Sequence, residues 1–551
     1  MAPVVRRRRK FRACDSCYRR KTGAIKCDLA VPKCNWCSHH DLPCTFTRNE
    51  MPGPLGDRSQ TAQSRDLEAA QTGDQHQGAI EEPGIGLLLG NIYAFNGLPF
   101  FSPGGRQWIR AQTGHDVNLL QYTPPRRIRT LYPNAVLTRI ELPNMQVLYR
   151  YMNLYTASAI FDIFPFIDPS LFEQTIETAY RGRNSAYGAP ASAQACVFAF
   201  MSAASLLLDE LNDERLSKID VYAAQAYQLL PAFFGDPAGV DGLQAVLMLC
   251  AYNQAIAGDV LGMELLLASA TRFAYHLRGN IHPAKAGMRP PRLNAHIRNL
   301  FWLCYIFSQD TTMRTGLPPA IDDSSCDLTL PDHSECPSAF LQFIRMAIIQ
   351  SQIYRRLYSA SAMDQTDAEL LCTIRELDGQ LEEWKQSVPS HTRPTFMSRP
   401  ADAGSMASSV LQLQYHYCMA AIHQAGGRCK SWTDNQDTRA QGSSLAISVA
   451  ASRSLLCKFA ELELYFHHYN LLFYLPYLTA AMIHLFCNIL LYPREESSQS
   501  DLELIVGVPI RMGSQLRSDV PAAFRMQVKY VKDLCSEIER LAHIAISSSN
   551  Q

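Results

Sequence analysis

Six cysteines fall within the 31 residues from Cys14 to Cys44, CDSCYRRKTGAIKCDLAVPKCNWCSHHDLPC, and they limit what the start of this chain can fold into more than any other feature. The main apolar side chains in and just beyond that stretch are Ile25, Trp36 and Phe46. So few groups cannot build a core, so cross-links must hold the segment together. MAPVVRRRRKFRA turns basic at once, with no apolar signal segment behind Met1. That predicts a reducing compartment, where closely spaced cysteines bind metal rather than pair as disulfides.

The spacing is C-x2-C-x9-C-x6-C-x2-C-x6-C. A C-x2-C pair sets two thiolates on one face of a knuckle, within reach of one tetrahedral zinc ion. Three schemes fit. Cys14, Cys17, Cys34 and Cys37 can form one four-thiolate site, which strands Cys27 and Cys44. An eight-ligand module of the RING type needs His39 or His40 and a further C-x2-C beyond Cys44, where only TFT follows. In the third scheme all six thiolates hold two Zn2+, with two thiolates shared. Each structural zinc supplies about 10 kcal/mol or more of folding free energy, so chelation should unfold this head.

The chain is formally neutral, but its charge is unevenly placed. Residues 1–50 hold twelve Lys/Arg against four Asp/Glu, a net +8, so residues 51–551 sum to −8. A cationic head on a mildly acidic body predicts a polyanion partner. Asp15 can cap a short helix carrying Tyr18, Arg19, Arg20 and Lys21. A rigid helix ending in Arg and Lys suits guanine O6 and N7 in the major groove of double-stranded DNA. Arg19, Lys26 and Lys33 suit phosphates. The run Arg6, Arg7, Arg8, Arg9, Lys10 suits phosphate contact, nuclear import or both.

Hydrophobic residues at 47% and charged residues at 19% describe a globular body rather than a disordered one. From Met51 to about Gly86 large apolar residues are scarce, which predicts a flexible linker; DLEAAQ offers a helical turn or two but no sustained heptad, hence no zipper. Beyond Leu131, VDGLQAVLMLCAYNQAIAG, GMELLLASATRFAYHL, RNLFWLCYIFSQDTTM and FIRMAIIQSQIYRRLYSA repeat apolar residues at three- and four-residue steps. Asp168 before Pro169 marks a helix start. Alternating strand runs and phosphate-binding glycine loops are absent, so an all-α body is expected, with breaks at GNIHPAKAGMRPPR, VPSHTRPTFMSRPADAGS, QAGGRCKSWTDNQD and PREESSQS. The apolar run from Leu471 to Tyr492 reads as a core helix rather than a membrane span, because Pro476, Thr479, His484 and Asn488 would be costly in lipid. The eleven cysteines beyond residue 50 mostly lie in apolar runs, as Cys250 does in AVLMLCAY, and read as small buried hydrophobes. EESSQSDLELIV, Glu495 to Val506, mixes acids with aliphatics as some activation segments do, but reads as a plain surface loop in preference to one.

CDSCYRRK, IKCD, PKCNWC and Cys44 resemble the signature of the fungal binuclear zinc cluster (Zn2Cys6) transcription regulators. The resemblance implies that Cys14, Cys17, Cys27 and Cys34 hold one zinc, that Cys14, Cys34, Cys37 and Cys44 hold the other, and that Cys14 and Cys34 bridge. It puts base reading on Arg20 and Lys21, with CGG-like triplets as target. The body from Met145 to about Pro331 resembles the fungal-specific transcription factor domain, or middle homology region. The segments that carry the likeness include LYRYMNLYTASAIFDIFPFIDPSLF and RNLFWLCYIFSQDTTMRTGLPPAIDDSSCDLTLP. The expected domains are therefore a DNA-binding head at 10–48, a linker at 49–130, the helical middle homology region at 131–395 and a C-terminal helical region at 396–551.

Two departures stand out. The family usually spaces its second and third cysteines by six residues, and here YRRKTGAIK supplies nine. Either the loop bulges at Gly23 or Thr22, Gly23 and Ala24 reflect an alternative splice boundary; the expectation is a cluster that closes with Lys21 displaced and base reading weakened. In the body the family's Asp six residues after the tryptophan is Ser308, and its GRP is GLP at Gly316 to Pro318, as if one polar contact had been lost.

The resemblance implies a nuclear regulator of RNA polymerase II genes that controls a metabolic or secondary-metabolite gene set. Its expected partners are DNA, the transcription machinery and no membrane, and it acts as a monomer or as a homodimer formed through the body. A zinc-dependent protein-interaction module is the alternative. Catalysis is not expected: HHDLP and IDDSSCD scatter His, Asp and Ser without a G-x-S-x-G, H-E-x-x-H or phosphate loop to organise them.

Overall fold

The computed structural model describes Cys37 and residues 92–95, 98–101, 103–118, 140–181, 190–207, 216–235, 237, 239–254, 260–287, 289–331, 336–390, 393–396, 406–429, 438–461, 471–514 and 522–549. The chain divides into two compact units, Met1–Glu82 and Pro83–Gln551. The second is helical, as the apolar periodicity predicts, with one addition. Strands β1 (Ile92–Phe95) and β2 (Leu98–Phe101) pair antiparallel, from Ile92 opposite Phe101 to Phe95 opposite Leu98. Helix α1 (Pro103–Thr113) follows, and Ile109 in it has no exposed surface. Hairpin and helix both lie in the 49–130 stretch where a flexible linker is expected. The segment after α1 is tied down as well: the Asn118 N–H donates to Glu537 Oε1 at 2.6 Å, and Arg540 Nη2 donates to the Asp116 carbonyl at 3.0 Å.

The first core begins with α2 (Met145–Ala157), whose Asn144 cap accepts the Gln146 N–H at 2.8 Å. In α3 (Pro169–Arg181) Asp168 accepts the Leu171 N–H at 3.1 Å, the start signal legible in the sequence. Helix α4 (Ala191–Leu207) packs against α5 (Leu216–Phe234) and α6 (Val240–Tyr252). Its Ala193, Ala195, Ala199 and Ala203 let backbones approach closely, and α6 is consequently buried along its length from Gly242 to Tyr252.

Helix α7 (Val260–His276) turns sharply into α8 (Pro291–Thr315). The turn is tight at Gly279, where a Cβ would sit 3.0 Å from the Ile297 carbonyl oxygen and 3.1 Å from Phe301 Cβ. Leu300, Phe301, Trp302, Leu303, Cys304 and Tyr305 are fully buried, each large side chain stabilising the fold by about 1.5–3 kcal/mol. Gly316 ends α8 in the left-handed conformation (φ +71°), its N–H bonded to the Thr312 carbonyl at 2.8 Å. Helices α9 (Ser338–Ile353), α10 (Asp367–Ser387), opened by a Thr366/Glu369 capping box, and α11 (Met406–Gln424) complete this core.

The second core is built around α13 (Leu471–Leu491), flanked by α12 (Thr438–Glu461), α14 (Ser497–Ser514) and α15 (Ala522–Ser549), with Ile109 of α1 also in it. Helix α11 serves both cores: Tyr415 and Cys418 face the first, Leu413 the second. The polar residues of α13 are satisfied by neighbours, as where Thr479 donates to the Leu475 carbonyl at 2.8 Å. No helix among the described residues is long and apolar enough to cross a membrane. Glu495 to Val506, expected as a surface loop, instead enters α14, where Leu502 and Ile505 are buried. Asp501 there has no exposed surface and accepts two bonds from Arg453, at 2.5 and 2.8 Å.

Candidate functional site

The site with the strongest chemical signature lies in the first unit, where Cys37 is the described residue. It is helical and has no exposed surface. Cys14, Cys17, Cys27, Cys34 and Cys44 lie outside the described residues, as do Arg19, Arg20, Lys21, Lys26, Lys33 and the arm from Arg6 to Lys10. Six soft thiols, four of them in two C-x2-C pairs, suit zinc. Elsewhere among the described residues no group of three or more His, Cys, Asp or Glu side chains converges on a common point. Of the cysteines beyond the head, eight are buried, Cys326 and Cys457 are half-buried and Cys372 is exposed. Burial pushes the thiol pKa of Cys196, Cys250 and Cys304 upward, the behaviour of inert core thiols.

In the second unit the polar groups the sequence singles out are structural. Asp323, in the IDDSSCD loop, accepts hydrogen bonds from Tyr305 Oη at 2.8 Å, Ser351 Oγ at 2.8 Å and Arg355 Nη1 at 3.0 Å. These bonds dock the loop onto α8, α9 and the turn that follows α9. Ser308, at the position of the family's Asp, accepts the Ala320 N–H at 3.0 Å and closes the loop after α8, while Leu317 is 52% exposed.

A buried polar cluster that sequence reading missed joins the two cores. Asp310 and Arg314, one turn apart on α8, pair at 3.0 Å with side chains 8% and 2% exposed. Tyr477 of α13 donates to Asp310 Oδ1, and Gln414 Nε2 of α11 donates to Tyr477 Oη at 3.2 Å. Burial first, then the Asp310 carboxylate, hold the Tyr477 hydroxyl well above the usual phenol range. The sequence signal is a charged pair four residues apart inside an otherwise apolar helix; its partner on α13 is 167 residues away from Asp310.

Three histidines are also buried and held neutral, their pKa lowered chiefly by desolvation: His296 to about 4, His416 to about 3 and His484 to about 3. His484 Nδ1 lies 2.8 Å from both Gln424 Nε2 and Ser452 Oγ, and its Nε2 lies 3.3 Å from Ser448 Oγ.

Comparison with known proteins finds two family matches on this chain. Residues 12–52 match the fungal Zn(2)-Cys(6) binuclear cluster domain, and residues 152–386 match the fungal specific transcription factor domain. The second match runs from α2 through α10, past Pro331 where the first stretch of likeness read by eye ends. An ABC-transporter-regulating transcription factor of Aspergillus oryzae is 24% identical over 99% of this chain and 74% of its own length; a protein of the same description from Aspergillus fumigatus is 24% identical with the same coverage. A Fusaridione A cluster transcription factor of Fusarium heterosporum is 23% identical over 52% of this chain and 56% of its own. No solved structure matches.

Proposed function

From the premise that this chain belongs to the fungal Zn(2)-Cys(6) binuclear cluster transcription regulators, binding two zinc ions and carrying a fungal specific transcription factor domain, we propose that it reads CGG-like triplets upstream of RNA polymerase II genes in the nucleus. The observation that carries this reading is the six-cysteine spacing beside a run of cations, within a segment matched by the binuclear cluster family. Bound zinc supplies the cross-links that stand in for a core. Cys14, Cys17, Cys27, Cys34, Cys37 and Cys44 hold it. Arg20 and Lys21 contact guanine edges; Arg19, Lys26 and Lys33 take phosphates and fix register; the Arg6 to Lys10 arm adds phosphate contacts and directs nuclear import. The body recruits the transcription machinery and, where the protein dimerises, forms the dimer contact.

The related proteins are named for regulating ABC transporters and for a Fusaridione A cluster. On that likeness the proposed targets are genes for export or secondary metabolism.

Two substitutions test the division of roles. Arg20→Ala should cost about 1–3 kcal/mol of discrimination at one base position, with non-specific binding retained. Lys26→Ala should weaken binding to all duplexes alike and reduce the salt slope by about one. If Arg20→Ala leaves base preference intact, the assignment of base reading is wrong.

A further inference from the structure

The geometry points to a binding site for a small organic oxyanion in the cavity where α8 begins. This cavity, of about 530 Å³, opens between the turn Pro283–Lys285, the first turns of α8 and the segment Thr329–Pro331. Its walls carry Arg289, Arg292, Arg298 and His282 and no acidic residue.

The charges are unevenly compensated. Arg292 is neutralised by Asp168, at 2.8 and 2.9 Å. Arg298 is 4% exposed, yet its guanidinium meets only backbone carbonyls, those of Gly279 at 3.0 Å, Thr329 at 3.2 Å and Asp327. It also stacks 4.6 Å over the Trp302 ring. Arg289 Nη1 donates to the Leu277 carbonyl at 2.7 Å. Among the described residues neither Arg289 nor Arg298 pairs with a carboxylate. The nearest carboxylate to Arg298, that of Asp327, is occupied by the Thr329 N–H and hydroxyl at 3.1 and 2.6 Å, with Lys285 at 3.7 Å. Arg298 has the field of the Asp327 carboxylate but no direct ion pair, and Arg289 has no ion pair among the described residues; a ligand oxyanion would supply the missing direct partner. Burial lowers the Arg298 pKa to about 10, with the Asp327 carboxylate opposing the drop.

Two further observations mark a ligand rather than a solvated patch. Helix α8 starts with Pro290 in the cap position and Pro291 after it, and no side chain caps its first N–H groups. That end of the helix dipole is open to an anion. On the same wall Asn294, 6% exposed, uses Nδ2 on the Gly287 carbonyl at 3.3 Å, while its Oδ1 has no hydrogen-bond partner. An acceptor left unpaired at such depth asks for a donor beside the oxyanion. Pro283, Ala295, Leu330 and Pro331 give the cavity an apolar side for a carbon body. The ligand chemistry is therefore an oxyanion with an adjacent hydroxyl, as in a singly protonated phosphate or an α-hydroxy carboxylate.

The test uses full-length, zinc-loaded protein without DNA, so its failure leaves the DNA-binding reading untouched. Thermal unfolding is followed against inorganic phosphate, lactate and acetate at ionic strength matched with chloride. Phosphate or lactate should raise the midpoint saturably, and the tighter of the two identifies the ligand class; acetate, lacking the hydroxyl, should bind less tightly than either. Arg289→Gln should weaken the response by about tenfold, the value of one charge-assisted contact. Asn299→Asp, on the same wall, places a carboxylate beside the cations. It should raise the midpoint without added anion and abolish the response. A shift that does not saturate, or equal affinity in wild type and both variants, overturns the site; acetate binding as tightly as lactate overturns the role given to Asn294.

Discussion

Acidification should unfold the body through its buried histidines, and His484 makes the effect measurable one residue at a time. The ring is 1% exposed and neutral, with Nδ1 facing the Gln424 amide and the Ser452 hydroxyl. Protonation would aim an N–H at an amide that already donates, in a site without a carboxylate partner. In the folded chain its pKa falls from 6.5 to about 3; His416 falls to about 3 and His296 to about 4. Because folded values lie below unfolded ones, the unfolded chain binds more protons between them. The stabilisation is complete above about pH 6.5 and is lost progressively as pH drops below it. At pH 5 each histidine costs about 2 kcal/mol, so the three together cost about 6 kcal/mol. Asp220 and Glu264, whose pKa burial raises, act in the opposite sense and offset part of this loss. His484→Gln keeps hydrogen-bonding capacity without a titrating ring, and the carboxylate terms cancel in the comparison with wild type. Urea midpoints by far-UV circular dichroism at pH 7.5 and pH 5 should show the variant's acid loss smaller than wild type's by about 2 kcal/mol. An identical loss in both, or a His484 ring that titrates near 6.5 in the folded protein, would refute the reasoning.

Three other outcomes are expected. Asp310→Ala, which leaves Arg314 buried without its partner, should destabilise by about 3–5 kcal/mol, whereas Asp310→Leu combined with Arg314→Met should cost far less. Urea midpoints of the two variants decide it, and equal costs would sink the ion-pair account. Zinc chelation should abolish specific DNA binding while far-UV dichroism retains the helical signal, since both cores are apolar and no metal-binding cluster occurs among the described residues of the body. Concerted loss of helix would contradict this. Deleting Thr22, Gly23 and Ala24 should tighten binding to CGG-bearing duplexes by restoring the family's cysteine spacing, and unchanged affinity would show that the longer loop does not displace Lys21.

Much of the fold was legible because local signals agree with it. The Asp168–Pro169 helix start, the breaks between α7 and α8 and between α10 and α11, and the burial of most of α13 from Leu475 to Leu490 all follow from capping, glycine–proline punctuation and apolar periodicity. The hairpin went unread although its signal is present: Asn96-Gly97 separates IYAF from LPFF, the two-residue pattern of tight β-turns. Helix α14 was misjudged because Glu495, Glu496 and the serines suggest solvent, and nothing local announces that Asp501 is buried against Arg453. The Asp310–Tyr477 contact is beyond sequence reading for a physical reason: tertiary packing, not chain proximity, brings α8 and α13 together. The cysteine spacing points to zinc but leaves three ligand schemes open, and the two-zinc form comes from the likeness to the binuclear cluster family, whereas the anion cavity depends on which carbonyls surround Arg298 and leaves no trace in the order of residues.

The account rests on a cationic, zinc-held head that distinguishes one duplex from another. The most direct measurement is the affinity ratio of the full-length, zinc-loaded chain for a CGG-bearing duplex over a base-scrambled duplex at physiological salt. The prediction is a preference of about a thousandfold or more; a ratio near one, with binding that merely falls as salt rises, would contradict it.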